Sequence, residues 1–295
     1  MAVFGRVLTA MATPFDESGA VNWEQVTALA KRLVDNGSDG IVVAGTTGES
    51  PTLSDEEKIR LFRAVKEAVG GRAVVVAGTG TNDTKHSIHL TKEAERAGCD
   101  GLLLVNPYYN RPPQDGLYAH FRAIAESTRL PCMLYNIPGR TGVNCLPETI
   151  ARLADVPNIA AVKEASGSLD QVSDIRRRTK KHFLIYSGDD SLTLPILAVG
   201  GTGIVSVASH LVGREIQQMV RAFEQGEVAQ ALQLHLRLLP LFKVLFITTN
   251  PVPLKAALNM SGISVGKPRL PLVEATAKEK EQIQAVLNEL ALAAV

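Results

Sequence analysis

Short apolar runs alternate along this chain with longer segments in which apolar residues recur every three or four positions. The runs predict strands at Arg6–Met11, Gly40–Ala44, Ala73–Ala77, Gly101–Val105, Cys132–Tyr135, Ile159–Lys163, Phe183–Ser187 and Gly203–Val207. The segments between them predict helices at Trp23–Asp35, Asp55–Val69, Thr84–Ala97, Gln114–Ser127, Pro147–Ala154, Leu169–Thr179 and Leu192–Val199. Strands separated by helices pair in parallel, because each crossover brings the chain back to the same end of the sheet. Eight strands close a (β/α)8 barrel, so the predicted class is α/β, a TIM barrel. Past Val207 the pattern becomes helix upon helix, at His210–Glu224, Val228–Ile247, Pro253–Met260 and Ala275–Leu292, with a break at Glu224-Gln225-Gly226. The chain therefore divides into a barrel over 1–224 that carries the site and a C-terminal helical appendage over 225–295.

An internal repeat agrees with the barrel. Gly37-Ser38-Asp39-Gly40, Gly98-Cys99-Asp100-Gly101 and Gly200-Gly201-Thr202-Gly203 each feed an apolar strand. In each, the first glycine is expected to end a helix in the left-handed region, where a side chain would be strained. None sits between a strand and a following helix, where a phosphate-binding GxGxxG belongs, so a dinucleotide-binding sheet is set aside.

Composition narrows the function by exclusion. The net charge of +1 gives a polyanion such as nucleic acid no purchase. Cys99, Cys132 and Cys145 form neither a CxxC pair nor an even set, which points to a reducing compartment. The histidines show no HExxH spacing, and no metal is expected. No stretch is apolar enough to span a membrane, and the opening MAVFGRVLTAMATPF is broken too early, at Pro14, for a signal peptide. The expected setting is the cytoplasm.

In a barrel of this kind the reacting groups come from the C-terminal ends of the strands and the loops after them. Those ends read AGTTGES, AGTGTND, NPYYNRP, YNIPGRTG, VKEASG, SGDD and IVSVAS. Lys163 is conspicuous, because it closes an apolar run where a solvated charge does not belong. An amine attacks a carbonyl only when unprotonated, and desolvation favours that form. Successive strand residues face opposite ways, so Glu164 should point away from Lys163. Tyr135 ends the neighbouring strand and suits the proton traffic of imine formation. Thr46 and Thr47 offer hydroxyls and backbone N–H groups to a carboxylate, and Arg140 offers a fork to a second one. Together these residues describe a Schiff-base enzyme for a small 2-oxo acid, with no metal or nucleotide cofactor.

GTTGES, AGTG, PYYNRP, YNIPGRTG, VKEASG and SGDD, in this order over nearly the whole chain, resemble the dihydrodipicolinate synthase (4-hydroxy-tetrahydrodipicolinate synthase) family of the pyruvate-dependent class I aldolases. The resemblance implies that Lys163 forms an imine with pyruvate and that Tyr135 donates and accepts the protons. It implies a relay of Thr46, Tyr109 and Tyr135, with Tyr109 supplied by a neighbouring subunit. Thr47, Val205 and Gly188 would surround the pyruvate, and Arg140 would hold the carboxylate of aspartate semialdehyde. It further implies a lyase of diaminopimelate and lysine synthesis and a homotetramer built as a dimer of dimers. N-acetylneuraminate lyase and the 2-keto-3-deoxy sugar acid aldolases are the alternatives, since they share the lysine and the tyrosine. The intact PYYNRP and PGRTG segments favour the synthase. A non-catalytic keto-acid-binding barrel would lack a relay member, and none is missing.

Many members of this family are inhibited by lysine at a subunit boundary. Ser50, Asn82 and Tyr108 match that pattern. His86 stands where sensitive bacterial members carry glutamate, and Asp55 and Lys58 stand where they carry histidines. An imidazole is a poor partner for an ammonium, so feedback inhibition at this candidate regulatory site is expected to be weak or absent.

Overall fold

The computed structural model describes residues 3–292. Eight parallel strands close into a barrel in chain order. They are β1 (Val7–Ala10), β2 (Gly40–Val43), β3 (Val74–Gly78), β4 (Gly101–Val105), β5 (Cys132–Asn136), β6 (Ile159–Glu164), β7 (Leu184–Ser187) and β8 (Gly203–Ser206). The crossovers supply α1 (Trp23–Asp35), α2 (Asp55–Val69), α3 (Thr84–Arg96), α4 (Gln114–Ala125), α5 (Pro138–Thr141), α6 (Pro147–Leu153), α7 (Leu169–Arg178) and α8 (Thr193–Ala198). After β8 come α9 (Ser209–Glu224), α10 (Val228–Val244), α11 (Val252–Met260) and α12 (Ala277–Glu289). The predicted (β/α)8 architecture is the one observed.

Strand alternation sorts the apolar residues into two layers. Leu8, Val42, Val76, Leu103, Met133, Ala161, Tyr186 and Val205 fill the barrel interior. Ile41, Val75, Leu104, Leu134, Val162 and Ile204 face outward and pack beneath the helices. That outer layer continues without interruption into Leu238, Leu241, Leu254, Leu258, Ile283 and Leu287 of the last three helices. The glycines that open the repeat do adopt the left-handed region, with φ of 96° at Gly37, 79° at Gly98 and 95° at Gly200.

Element ends differ from expectation by one to a few residues. The last helix is shorter than its apolar pattern, because Thr276 caps it with a capping box and it closes at Glu289. The start of α2 is likewise set by Ser54, whose hydroxyl accepts from Glu57 N while Glu57 caps in return. The short α5 went unpredicted, since four residues starting at a proline carry no helical periodicity.

Candidate active site

Lys163 and Tyr135 are register partners on β6 and β5. Both side chains lie on the interior face, in line with Ala161 and Met133. Lys163 is only 5% exposed, and its Nζ stands 4.1 Å from the centroid of the Tyr135 ring. The predicted alternation holds at the next residue: Glu164 points outward. There its carboxylate accepts from Asn136 Nδ2 at 3.1 Å, Gln171 Nε2 at 3.1 Å and Ser166 N at 2.7 Å. Glu164 is therefore fully engaged behind the strand and does not neutralise Lys163.

This outward network also ties the loop that carries Arg140. Asn136 Oδ1 accepts from Asn106 Nδ2 at 2.7 Å and from Cys145 N at 2.9 Å. Asn136 Nδ2 donates to Asn144 Oδ1 at 2.7 Å. Buried amides with several partners each hold a loop in one geometry, because leaving any of them unpaired is costly.

Gly188 leaves Lys163 its room. A Cβ there would stand 3.2 Å from Lys163 Cε and 2.7 Å from the Cβ of Ala165. Val205 is buried in β8, and its neighbour Ser206 donates to the buried Asp190. Asp190 also accepts from Val207 N at 3.0 Å and Ala208 N at 3.2 Å. Burial raises its carboxyl to about 6 despite those bonds.

A cavity of about 680 Å³ opens at the C-terminal end of the barrel. Thr46, Tyr135 and Arg140 line it, together with Ser50, Asn82, His86 and Tyr108. Thr46, Tyr135 and Arg140 thus share one continuous space with the expected regulatory residues. Asp55 and Lys58 also line it. The Asp55 carboxylate accepts from His86 Nε2 at 2.8 Å and lies 3.9 Å from Lys58 Nζ. Lys58 is buried, and that burial lowers its amine from the usual value against the opposing pull of Asp55.

Thr47, Gly188, Val205 and Lys163 do not form the wall of this cavity, and Thr47, Val205 and Lys163 are buried. Tyr109 is not brought to it at all. Its side chain is 92% exposed and its backbone is left-handed, with φ of 72°. Within one chain, Thr46 and Tyr135 share the cavity while Tyr109 reaches outward.

Several residues at the site had no signal in the sequence. Asn250, in the turn between α10 and α11, donates from Nδ2 to Thr47 Oγ1 at 2.9 Å. Its backbone oxygen accepts from Arg140 Nη2 at 3.2 Å. Lys255 of α11 pairs with Glu49 at 2.6 Å, both almost fully buried. Arg269 donates its N–H to Glu49 Oε2 at 2.8 Å and its guanidinium to both carboxylate oxygens of Glu57. The Arg140–Asn250 contact spans 110 residues of chain and the others more than two hundred, and no local pattern encodes them.

A sequence model described as "Dihydrodipicolinate synthetase family" matches residues 3–290. The 4-hydroxy-tetrahydrodipicolinate synthase of Desulforudis audaxviator is 63% identical over 98% of both chains. The enzyme of the same name from Thermosynechococcus vestitus is 60% identical over 99% of both. Among solved structures, dihydrodipicolinate synthase from Cyanidioschyzon merolae with lysine bound superposes with a TM-score of 0.98 at 51% identity, covering 99% of this chain and 100% of that one.

Proposed function

The chain belongs to the dihydrodipicolinate synthetase family, and from that premise we propose that it condenses pyruvate with L-aspartate 4-semialdehyde on Lys163 to give 4-hydroxy-tetrahydrodipicolinate. One observation carries the assignment of the nucleophile: a buried lysine at a strand end, without a carboxylate partner among the described residues, set against the ring of Tyr135.

The Lys163 amine adds to the keto carbon of pyruvate, giving a carbinolamine. Loss of water leaves the imine, with Tyr135 donating a proton to the departing hydroxyl. Tyr135, left deprotonated, takes a methyl proton to give the enamine, whose carbon attacks the aldehyde carbon of the second substrate as the aldehyde oxygen takes up that proton. The amino group of that substrate then displaces Lys163, which closes the ring and frees the enzyme. The Thr46 and Thr47 hydroxyls and the Arg140 guanidinium serve as carboxylate and proton-relay contacts, with Gly188 and Val205 shaping the pyruvate pocket.

Tyr109 enters this scheme from a second copy of the chain. Its exposure and left-handed backbone support a side chain held out for a partner. The exposed row Val228, Leu232 and Leu236 on α10 supports a further contact and hence a homotetramer. Three buried free thiols, each pushed up to about 12 by burial, support a reducing cytoplasmic setting. We read 1–224 as the unit that carries the chemistry and 225–295 as the helical unit that braces it.

The test is reduction with borohydride in the presence of pyruvate, followed by peptide mapping. The expected product is a single adduct on Lys163, with turnover of aspartate semialdehyde by the untreated enzyme. An adduct elsewhere, or none, overturns the nucleophile. An adduct without that turnover moves the assignment to the sugar-acid aldolases.

A further inference from the structure

We infer that Asn250 is a positioning residue that sets the pyruvate side of the site through Thr47; this rests on the function proposed above. Asn250 is 5% exposed and touches two residues from different barrel loops. Its side-chain N–H donates to the Thr47 hydroxyl at 2.9 Å, and its main-chain oxygen holds the Arg140 guanidinium at 3.2 Å. The bond to Thr47 occupies one lone pair of that hydroxyl and leaves its proton free to donate, as a bound carboxylate requires. Asn250 thereby sets the direction of the Thr47 O–H without touching substrate.

A second observation separates this from ordinary packing. Asn250 Oδ1 is buried and has no partner among the described residues. An amide kept only for the fold would satisfy both ends, because an unpaired buried acceptor is costly. The chain after Asn250 is anchored to the loop that carries Thr47. The same C-terminal segment grips the β2–α2 loop through the Lys255–Glu49 pair and the Arg269 N–H on Glu49.

The two contacts differ in kind, and this allows a selective test. Replacing the side chain removes the bond to Thr47 and leaves the main-chain bond to Arg140. For Asn250→Ala we expect the KM for pyruvate to rise roughly tenfold, the worth of one hydrogen bond to a substrate-binding group. The KM for aspartate semialdehyde should stay within about twofold. On a Thr47→Val background the same substitution should add nothing to the pyruvate KM, since the hydroxyl it acts through is gone. Asn250→Asp keeps the shape if the alanine variant does not fold. Its carboxylate must accept from Thr47 and so captures the proton meant for substrate, and the pyruvate KM should rise at least as far.

An unchanged pyruvate KM, an equal rise in both KM values, or an undiminished effect on the Thr47→Val background would each overturn the inference. Borohydride trapping of the wild-type enzyme keeps the two levels apart. Without a Lys163 adduct in wild type, the proposed function fails; with it, these outcomes judge Asn250 alone.

Discussion

Gly188→Ala tests the placement of Lys163 directly. The added Cβ meets two side chains: Ala165 Cβ at 2.7 Å and Lys163 Cε at 3.2 Å. Carbon atoms rest at about 3.5–4.0 Å, so the first contact is short by about 1 Å and the second by a few tenths. The Glu164 carbonyl at 3.2 Å blocks retreat in a third direction. Forced contacts of this kind in a packed site cost about 1–3 kcal/mol of stability. The functional effect follows from displacement of the amine. A full 1 Å shift costs up to about a hundredfold in rate, or about 3 kcal/mol of barrier, so a shift of a few tenths costs a few-fold to about tenfold. We expect kcat to fall about 3- to 10-fold, with a matching fall in the rate of borohydride trapping.

Ala165→Gly in the same chain separates the two contacts. It removes the 2.7 Å clash and leaves the 3.2 Å approach to Lys163. Stability should return to within about 1 kcal/mol of wild type, the residual being the added glycine's entropy, while turnover stays depressed. Steady-state kinetics, trapping rates and urea denaturation of the three proteins provide the readout. Wild-type kcat in Gly188→Ala, or full recovery of turnover in the double variant, would refute the reasoning.

Three further outcomes follow from the same structure. Lys255→Ala strands the buried Glu49 carboxylate and should cost about 3–5 kcal/mol, whereas Glu49→Gln with Lys255→Met should cost far less; equal losses in a denaturation series would count against the pair. His120 and His210 are each held down to about 4 by burial, against 6.5 for the free side chain, so the native state stays neutral while the unfolded chain takes up protons. Each therefore loses about 3 kcal/mol of stability as the pH falls from 6.5 to 4. Asp190, raised from 3.8 to about 6, runs the other way and regains about 3 kcal/mol over a similar range. Denaturation midpoints should thus fall on acidification by a net of about 3 kcal/mol, and a flat or rising profile would contradict the burial argument. Added lysine should inhibit weakly or not at all, because the Asp55 carboxylate is already engaged by His86 and Lys58 lines the same cavity as a competing cation. Half-inhibition well below millimolar lysine would overturn that expectation.

The legible part of this protein was the part written in short-range pattern. Apolar runs of period two and segments of period 3.6 report directly which face of an element is buried, and a closed parallel barrel follows from their alternation. The same alternation was enough to point Lys163 inward beside Tyr135 and to turn Glu164 out, as the structure shows. The tertiary structure decided how the loops above the barrel are held. Thr47 and Arg140 were visible as chemistry, but their common partner Asn250 lies far along the chain and in a turn. The Lys255–Glu49 pair looks in the sequence like two surface charges, and only folding buries them against each other. The cavity likewise gathers Asp55, Lys58 and His86 from two different helices and joins them to the substrate residues. Periodicity specifies burial within an element because side-chain direction is set locally by the backbone. Which buried polar groups meet depends on contacts closed across one to two hundred residues, and these exist only once the barrel has formed.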